Sequence, residues 1–132
     1  MTSYPVEFTP LPSRANFGRT LIVEDDRDGC ETLALMLRRL GHEVEVAESV
    51  GEALVKLEAW QPDYVLLDLM LPDAYGSLVL RKIRQMGWPI RVAVITAAGP
   101  MSPVLRHTES YQPDVIFSKP LNYAAIRGWI QS

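Results

Sequence analysis

The chain has 132 residues, 48% of them hydrophobic and 22% charged, with a formal net charge of −3. That length suits one domain with a proper core, and the acidic balance argues against direct nucleic-acid binding. The lone cysteine, Cys30, excludes an internal disulfide, no Cys/His cluster has zinc-ligand spacing, and no apolar run approaches the ~20 residues that cross a bilayer. The N-terminus lacks a signal-peptide pattern, so a soluble cytoplasmic protein with no membrane association is expected.

Residues 1–18 hold Pro5, Pro10 and Pro12, lack apolar periodicity and close on Gly18, which predicts a flexible N-terminal extension ahead of a folded domain over 19–132. Thr20 to Val23 is a β-rich apolar run that stops at Glu24, Asp25 and Asp26, as a strand buried on both faces would. Arg27 to Leu40 reads as a helix with Leu33, Met36, Leu37 and Leu40 on one face, and Gly41 stands where a helix stop is expected. Glu43 to Ala47 alternates polar and apolar, the pattern of an edge strand with one solvated face. Ser49, three residues before Glu52, marks a capping box, and Val50, Ala53, Leu54 and Leu57 supply the stripe of a second helix. Tyr64 to Leu67 is the most apolar strand and ends at Asp68.

A loop over Pro72 to Gly76 leads to a helix from Ser77 to Met86, with Val79, Leu80 and Ile83 inward. Arg91 to Ile95 is a fourth strand ending at Thr96. Pro100 and Pro103 delay the next helix to near or after Pro103. Asp114 to Ser118 forms a fifth strand before Lys119-Pro120, and Tyr123 to Ile130 a last helix.

Such alternation predicts a doubly wound five-stranded parallel sheet with helices on both faces, an α/β fold. Ligands of these sheets gather at the carboxyl ends of the strands, where Glu24, Asp25, Asp68, Thr96 and Lys119 fall. Carboxylates brought together repel unless a cation or proton compensates. Oxygen donors without histidine or cysteine suit Mg²⁺ or Mn²⁺. With a divalent ion, that set is equipped for phosphoryl transfer. Asp68 is the candidate nucleophile, Glu24 and Asp25 hold the metal, and Lys119 and Thr96 meet charge on the transferring oxygens.

Over residues 19–130 the chain resembles the receiver domain of two-component response regulators. The motifs that carry the resemblance are Leu21-Ile22-Val23-Glu24-Asp25-Asp26, the run from Leu66-Leu67-Asp68 through Pro72 to Gly76, Thr96-Ala97, and Ser118-Lys119-Pro120. The resemblance implies a flavodoxin-like fold with strand order 2-1-3-4-5. It makes Asp68 the phospho-acceptor. The metal ligands become Glu24, Asp25, Asp68 and the Met70 backbone carbonyl. Thr96 becomes the hydroxyl that moves toward the phosphoryl group, Lys119 is its charge partner, and the Lys119-Pro120 bond is expected to be cis. The implied phosphodonor is a phosphohistidine on a sensor histidine kinase or a histidine phosphotransfer protein. The implied output is a protein target or a fused output domain, from a monomer or a phosphorylation-dependent dimer. No output domain follows Ile130 in the chain as given, so protein contact, phosphate relay or a phosphate sink is expected. No catalysis beyond its own phosphorylation and slow dephosphorylation is implied. One position departs: Ile116 stands where the family often has Tyr or Phe, three residues before the lysine. Without that aromatic half of the switch, the readout is expected to differ while the chemistry survives.

Other residues carry plainer readings. Asp26 reads as a helix N-terminal acid and Asp73 as a turn former. Cys30 reads as a small helix residue, His42 and His107 as solvated, and Trp60, Trp88 and Trp129 as packing or rim residues. Two rival functions were open at this level. A phosphorylation-independent scaffold has only Ile116 in its favour. An aspartyl-phosphate phosphatase needs a second aspartate two residues after the nucleophile, where Met70 stands.

Overall fold

The computed structural model describes residues 18–132, so the expected extension, Gly18 apart, lies outside the described residues. Elements follow in strict alternation: β1 (Arg19–Val23), α1 (Arg27–Arg39), β2 (Glu43–Ala47), α2 (Val50–Trp60), β3 (Tyr64–Asp68), α3 (Ser77–Met86), β4 (Arg91–Thr96), α4 (Pro103–Glu109), β5 (Val115–Ser118) and α5 (Tyr123–Ile130). All strand pairs are parallel, in the order β2-β1-β3-β4-β5. This is the expected doubly wound sheet. No helix among the described residues is long and apolar enough to cross a membrane.

Strand side chains alternate between two cores. Leu21, Val23, Val65, Leu67, Val92 and Val94 pack under α2 and α3, while Ile22, Leu66, Ala93 and Ile95 pack under α1 and α5. Burial on both faces is why the central strands read as unbroken apolar runs. Each fully buried Leu or Ile stabilises by roughly 1.5–3 kcal/mol relative to exposure.

The helix ends follow local chemistry. Gly41 takes a φ of 95°, and the Gly41 and His42 N–H groups donate to Arg38 and Leu37 carbonyls. That closure needs a residue without Cβ strain. Ser49 caps α2 by accepting from the Glu52 N–H at 3.1 Å, but Glu52 returns its carboxylate to the Glu48 N–H and not to that of Ser49. At the sheet edge, Arg38 of α1 and Lys56 of α2 donate to the Val44 and Val46 carbonyls of β2 at 3.1 and 2.7 Å.

Strand β5 begins one residue later than expected. Asp114 pairs with Val92 by its N–H to the Val92 carbonyl at 2.9 Å, but it is the Asp114 carboxylate that takes the Val92 N–H, at 2.7 Å. His42 corrects its solvated reading: it is buried, its Nδ1 lies 2.8 Å from the Thr20 hydroxyl, and its ring packs on Tyr64. His107 is exposed, as expected, with its ring on Tyr111. The tryptophans pack as expected; Trp129 meets Tyr64 and Phe117 edge-on.

Arg84 on α3 ties the far side of the sheet together. Its guanidinium donates to the Ile90, Tyr111 and Gln112 carbonyls and to the Asp114 carboxylate. Arg84→Met keeps the stem and removes those bonds. It is expected to lower the unfolding free energy by about 2 kcal/mol in a denaturant titration, discounted for partial exposure. A change inside the ~0.5 kcal/mol of ordinary surface substitutions would show that water replaces the bonds.

Candidate functional site

Register brings the polar strand ends together. Asp68 pairs with Ile95 in the β3–β4 ladder, which puts Thr96 one step beyond it, and Thr96 pairs with Ser118 ahead of Lys119. The Glu24 N–H extends the β1–β2 ladder to the Ala47 carbonyl at 2.9 Å. Lys119 reaches across the sheet end, its Nζ 2.8 Å from Asp68 Oδ2 and 3.2 Å from Glu24 Oε2. The Lys119-Pro120 bond is cis, as expected. Asp68 Oδ1 accepts from the Met70 N–H at 3.0 Å, and Glu24 Oε1 from the Asp26 N–H at 3.1 Å.

Asp68 is buried, Glu24 half-buried and Asp25 exposed, yet all three offer carboxylate oxygens within 4.8 Å of one another. Burial pushes the Glu24 carboxyl up to about 7, reinforced by its hydrogen bond with Asp68 and the charge on Asp68. Burial alone would raise Asp68 too, but hydrogen bonds with Glu24, Lys119 and the Met70 N–H hold it below the usual carboxylate range. For Lys119, burial is outweighed by Asp68 and Glu24, which hold its ammonium charged above the usual lysine range. A proton taken up by this crowded pair therefore goes to Glu24 before Asp68. Such a cluster suits a hard divalent cation: every side-chain donor is oxygen, and one lysine cannot neutralise three carboxylates. A cavity of about 210 Å³ lies against Glu24, Asp68 and Lys119, walled otherwise mainly by apolar side chains such as Leu33, Leu66 and Ile95.

Thr96 is buried at the adjoining strand end, where its Oγ1 accepts from the Ala98 N–H at 2.9 Å. Met70 sits on the loop with an exposed side chain and its N–H on Asp68. Asp26 is the residue that starts α1, without a side-chain cap bond. Cys30 packs as read: burial pushes its thiol up to about 12, and its Sγ donates to the Glu24 carbonyl at 3.4 Å.

Two residues have more to do than their sequence suggests. Asp73 is not only a turn former: its carboxylate accepts from the Val50 and Gly51 N–H groups of α2 at 2.9 and 3.0 Å. The Gly51 bond, then that of Val50, holds the Asp73 carboxyl below its usual range. Gly76 has ordinary helical angles, φ −61° and ψ −20°. A Cβ there would stand 2.0 Å from the Asp68 carbonyl oxygen, so glycine is required by close approach. Proximity of either residue to its partner has no local signal in the sequence.

Known proteins resemble this chain in sequence and fold. The family model of the response regulator receiver domain matches residues 20–131. Response regulator MprA of Mycolicibacterium vanbaalenii is 38% identical over 84 residues, 64% of this chain and 36% of the relative. Transcriptional regulatory protein CutR of Streptomyces coelicolor is likewise 38% identical over 84 residues, covering 64% of this chain and 39% of its own. The matched stretch is thus well under half the length of these relatives. The CheY-like receiver domain protein of Methanospirillum hungatei superposes with a TM-score of 0.80 at 27% identity, over 86% of this chain and 90% of that one. The signal receiver domain of a modulated diguanylate cyclase from Desulfovibrio desulfuricans gives 0.77 at 25% identity, over 87% and 91%. A parallel sheet in the order 2-1-3-4-5, with acids and a lysine converging at its carboxyl end, is therefore accompanied by a family match across nearly the whole described chain. The chain belongs to the response regulator receiver domain family, the receiver module of two-component signalling.

Proposed function

We propose that residues 19–132 form a phosphorylation-controlled module that accepts a phosphoryl group on Asp68. The donor is a phosphohistidine of a sensor histidine kinase or histidine phosphotransfer protein in the cytoplasm, and the output runs through protein contacts. The observation that carries this reading is the charge arrangement at Asp68, anionic against Lys119 at 2.8 Å and crowded by Glu24 and Asp25. Glu24, Asp25, Asp68 and the Met70 carbonyl would hold Mg²⁺ or Mn²⁺. That ion supplies charge neutralisation to the transferring oxygens when bound.

The chain's own groups do the rest. Asp68 stays ionised at neutral pH because Lys119 and the Met70 N–H stabilise its anion, so it is ready as a nucleophile. Its oxygen forms the new P–O bond as the P–N bond of the donor breaks. Lys119 meets the oxygens that gain charge, as a preorganised cation that needs little rearrangement. The product adds roughly 1.5–2 negative charges. Thr96 then gives up its Ala98 bond to turn its hydroxyl toward them, which shifts the β4–α4 segment between two arrangements.

Ile116 bears on the readout. It packs on the core under α2 and α3, whereas Phe117 lies on the opposite face with Trp129. Phe117 therefore does not stand in for the aromatic residue that the family often has at the Ile116 position. The switch runs through Thr96 and the packing of Ile116.

The test is intact mass after incubation with Mg²⁺ and acetyl phosphate. One phosphoryl mass is expected, lost on chelation of the metal and in Asp68→Asn. No gain, where a known receiver is modified in parallel, would overturn the proposal in favour of a phosphorylation-independent scaffold.

A further inference from the structure

The loop after Asp68 is fastened at both ends by its own backbone. The Met70 N–H holds Asp68 Oδ1 at 3.0 Å, the Gly76 N–H returns to the Leu69 carbonyl at 2.8 Å, and Met70 bridges to Tyr75. Its tip, Pro72-Asp73, is exposed. What fastens the tip is the Asp73 carboxylate, which spans to a helix more than twenty residues upstream. We infer that Asp73 is a positioning residue: by clamping the β3–α3 loop to the first turn of α2, it sets how tightly the acid cluster holds a divalent cation. The inference rests on the metal-binding reading of that cluster given above.

The clamp closes a ring of short links around the site. From Glu24 the ring passes through its N–H to the Ala47 carbonyl, along Glu48 and Ser49 to Val50, and through the Val50 N–H to Asp73. It continues along the loop to Met70, through the Met70 N–H to Asp68, and through Lys119 back to Glu24. The β1–β3 ladder, paired up to Val23 and Leu67, already fixes the two strand ends that supply the carboxylates, so what the ring constrains is the loop that follows Asp68. Without Asp73 the loop keeps the bonds at its two ends and the packing of Leu71 and Ala74 on the core, but its tip loses the polar tie to α2. Met70, whose carbonyl is a proposed ligand, then has more arrangements open to it. Each is an ordering cost that cation binding would have to meet.

Asp73 also satisfies backbone donors of α2, and capping alone is a purely structural role. Ser49 separates the two. It caps the same helix through the Glu52 N–H and makes no bond to the loop among those described. A capping role predicts that Asp73→Ala and Ser49→Ala behave alike. A positioning role predicts that they part company in metal affinity.

The experiment is a Mg²⁺ titration of the full chain, followed by backbone amide shifts of Leu69 and Met70, with thermal unfolding alongside. Asp73→Ala is expected to weaken Mg²⁺ binding about tenfold, the low end for removing a support behind a metal ligand. Asp73→Asn, which keeps an acceptor oxygen, is expected to recover part of that loss. Ser49→Ala is expected to lower the melting temperature and leave Mg²⁺ affinity unchanged. Wild-type affinity in Asp73→Ala, or equal weakening in Ser49→Ala, would overturn the inference. Acetyl phosphate labelling of the wild type keeps the two readings apart. A chain that binds Mg²⁺ but takes no phosphoryl group refutes the proposed function and leaves the Asp73 comparison to be read on its own. One that is labelled, with Asp73→Ala unchanged in affinity, refutes Asp73 alone. A wild type that binds no Mg²⁺ refutes both.

Discussion

Gly76→Ala is expected to lower the unfolding free energy by about 3 kcal/mol, at the upper end for a single overpacked group. That corresponds to a melting temperature lower by on the order of 10 °C. The added methyl would stand 2.0 Å from the Asp68 carbonyl oxygen, 3.0 Å from the Asp68 carbonyl carbon and 3.1 Å from the Leu67 side chain. The first two belong to backbone at the end of a buried strand, so no rotamer change relieves them. Gly76 is the N-cap of α3, a position where glycine is favoured over alanine, so helix preference does not offset the clash. Relief requires moving Asp68 or the start of α3. Phosphoryl uptake from acetyl phosphate is therefore expected to fall at least about tenfold even in the folded fraction, because a displacement near 1 Å already costs about that or more. Denaturant unfolding and labelling of the same sample check both claims; a variant as stable as wild type would mean that the strand end gives way freely.

Lys119→Met is expected to separate metal binding from chemistry. The ammonium lies 2.8 Å from one carboxylate and 3.2 Å from another. It therefore offsets charge that a divalent cation would otherwise meet in full. Methionine keeps the length of the stem and removes the charge. Mg²⁺ affinity, read by titration, is expected to match or exceed that of wild type. Phosphoryl uptake at saturating Mg²⁺ is expected to fall roughly 10²–10³-fold, the scale seen when a preorganised donor to a developing charge is lost. Weaker Mg²⁺ binding would show that Lys119 instead holds the carboxylates in place. An unchanged rate would remove it from the chemistry.

The strand–helix alternation and the strand-end acids were legible because each depends on short-range pattern, whereas the strand order came from the family resemblance. Runs such as Val65-Leu66-Leu67 declare burial on both faces, and Asp68 marks where burial ends. Gly41 and Ser49 announced helix boundaries through local backbone needs that only a few residue types meet. What was not legible depends on contacts distant in sequence. His42 follows a helix stop, where solvent is the default, and only the approach of Thr20 and Tyr64 buries it. Nothing near Asp73 names Val50 and Gly51 as its partners. Gly76 looks like a turn residue, while its angles show that any residue would do and its neighbour shows that none other fits. Thr96 was correctly placed at a strand end, but its bond to the Ala98 N–H is a rotamer choice that no spacing encodes.

The two edges of the sheet bear on how this module meets other chains. An open edge offers unpaired carbonyl and N–H groups to any passing strand. On β2 the Val44 and Val46 carbonyls, which alternate with the rungs facing β1, are already taken by Arg38 and Lys56. The edge also carries Glu43 and Glu45. On the other side β5 has only four residues, bracketed by Pro113 and Pro120, which have no N–H to give. Among the described residues β2 is thus blunted by side chains on its outward carbonyls, and β5 by its short length and flanking prolines. A crowd of these domains therefore offers only a short and interrupted template for sheet-to-sheet growth, which favours helix faces and the loops around Asp68 as contact surfaces.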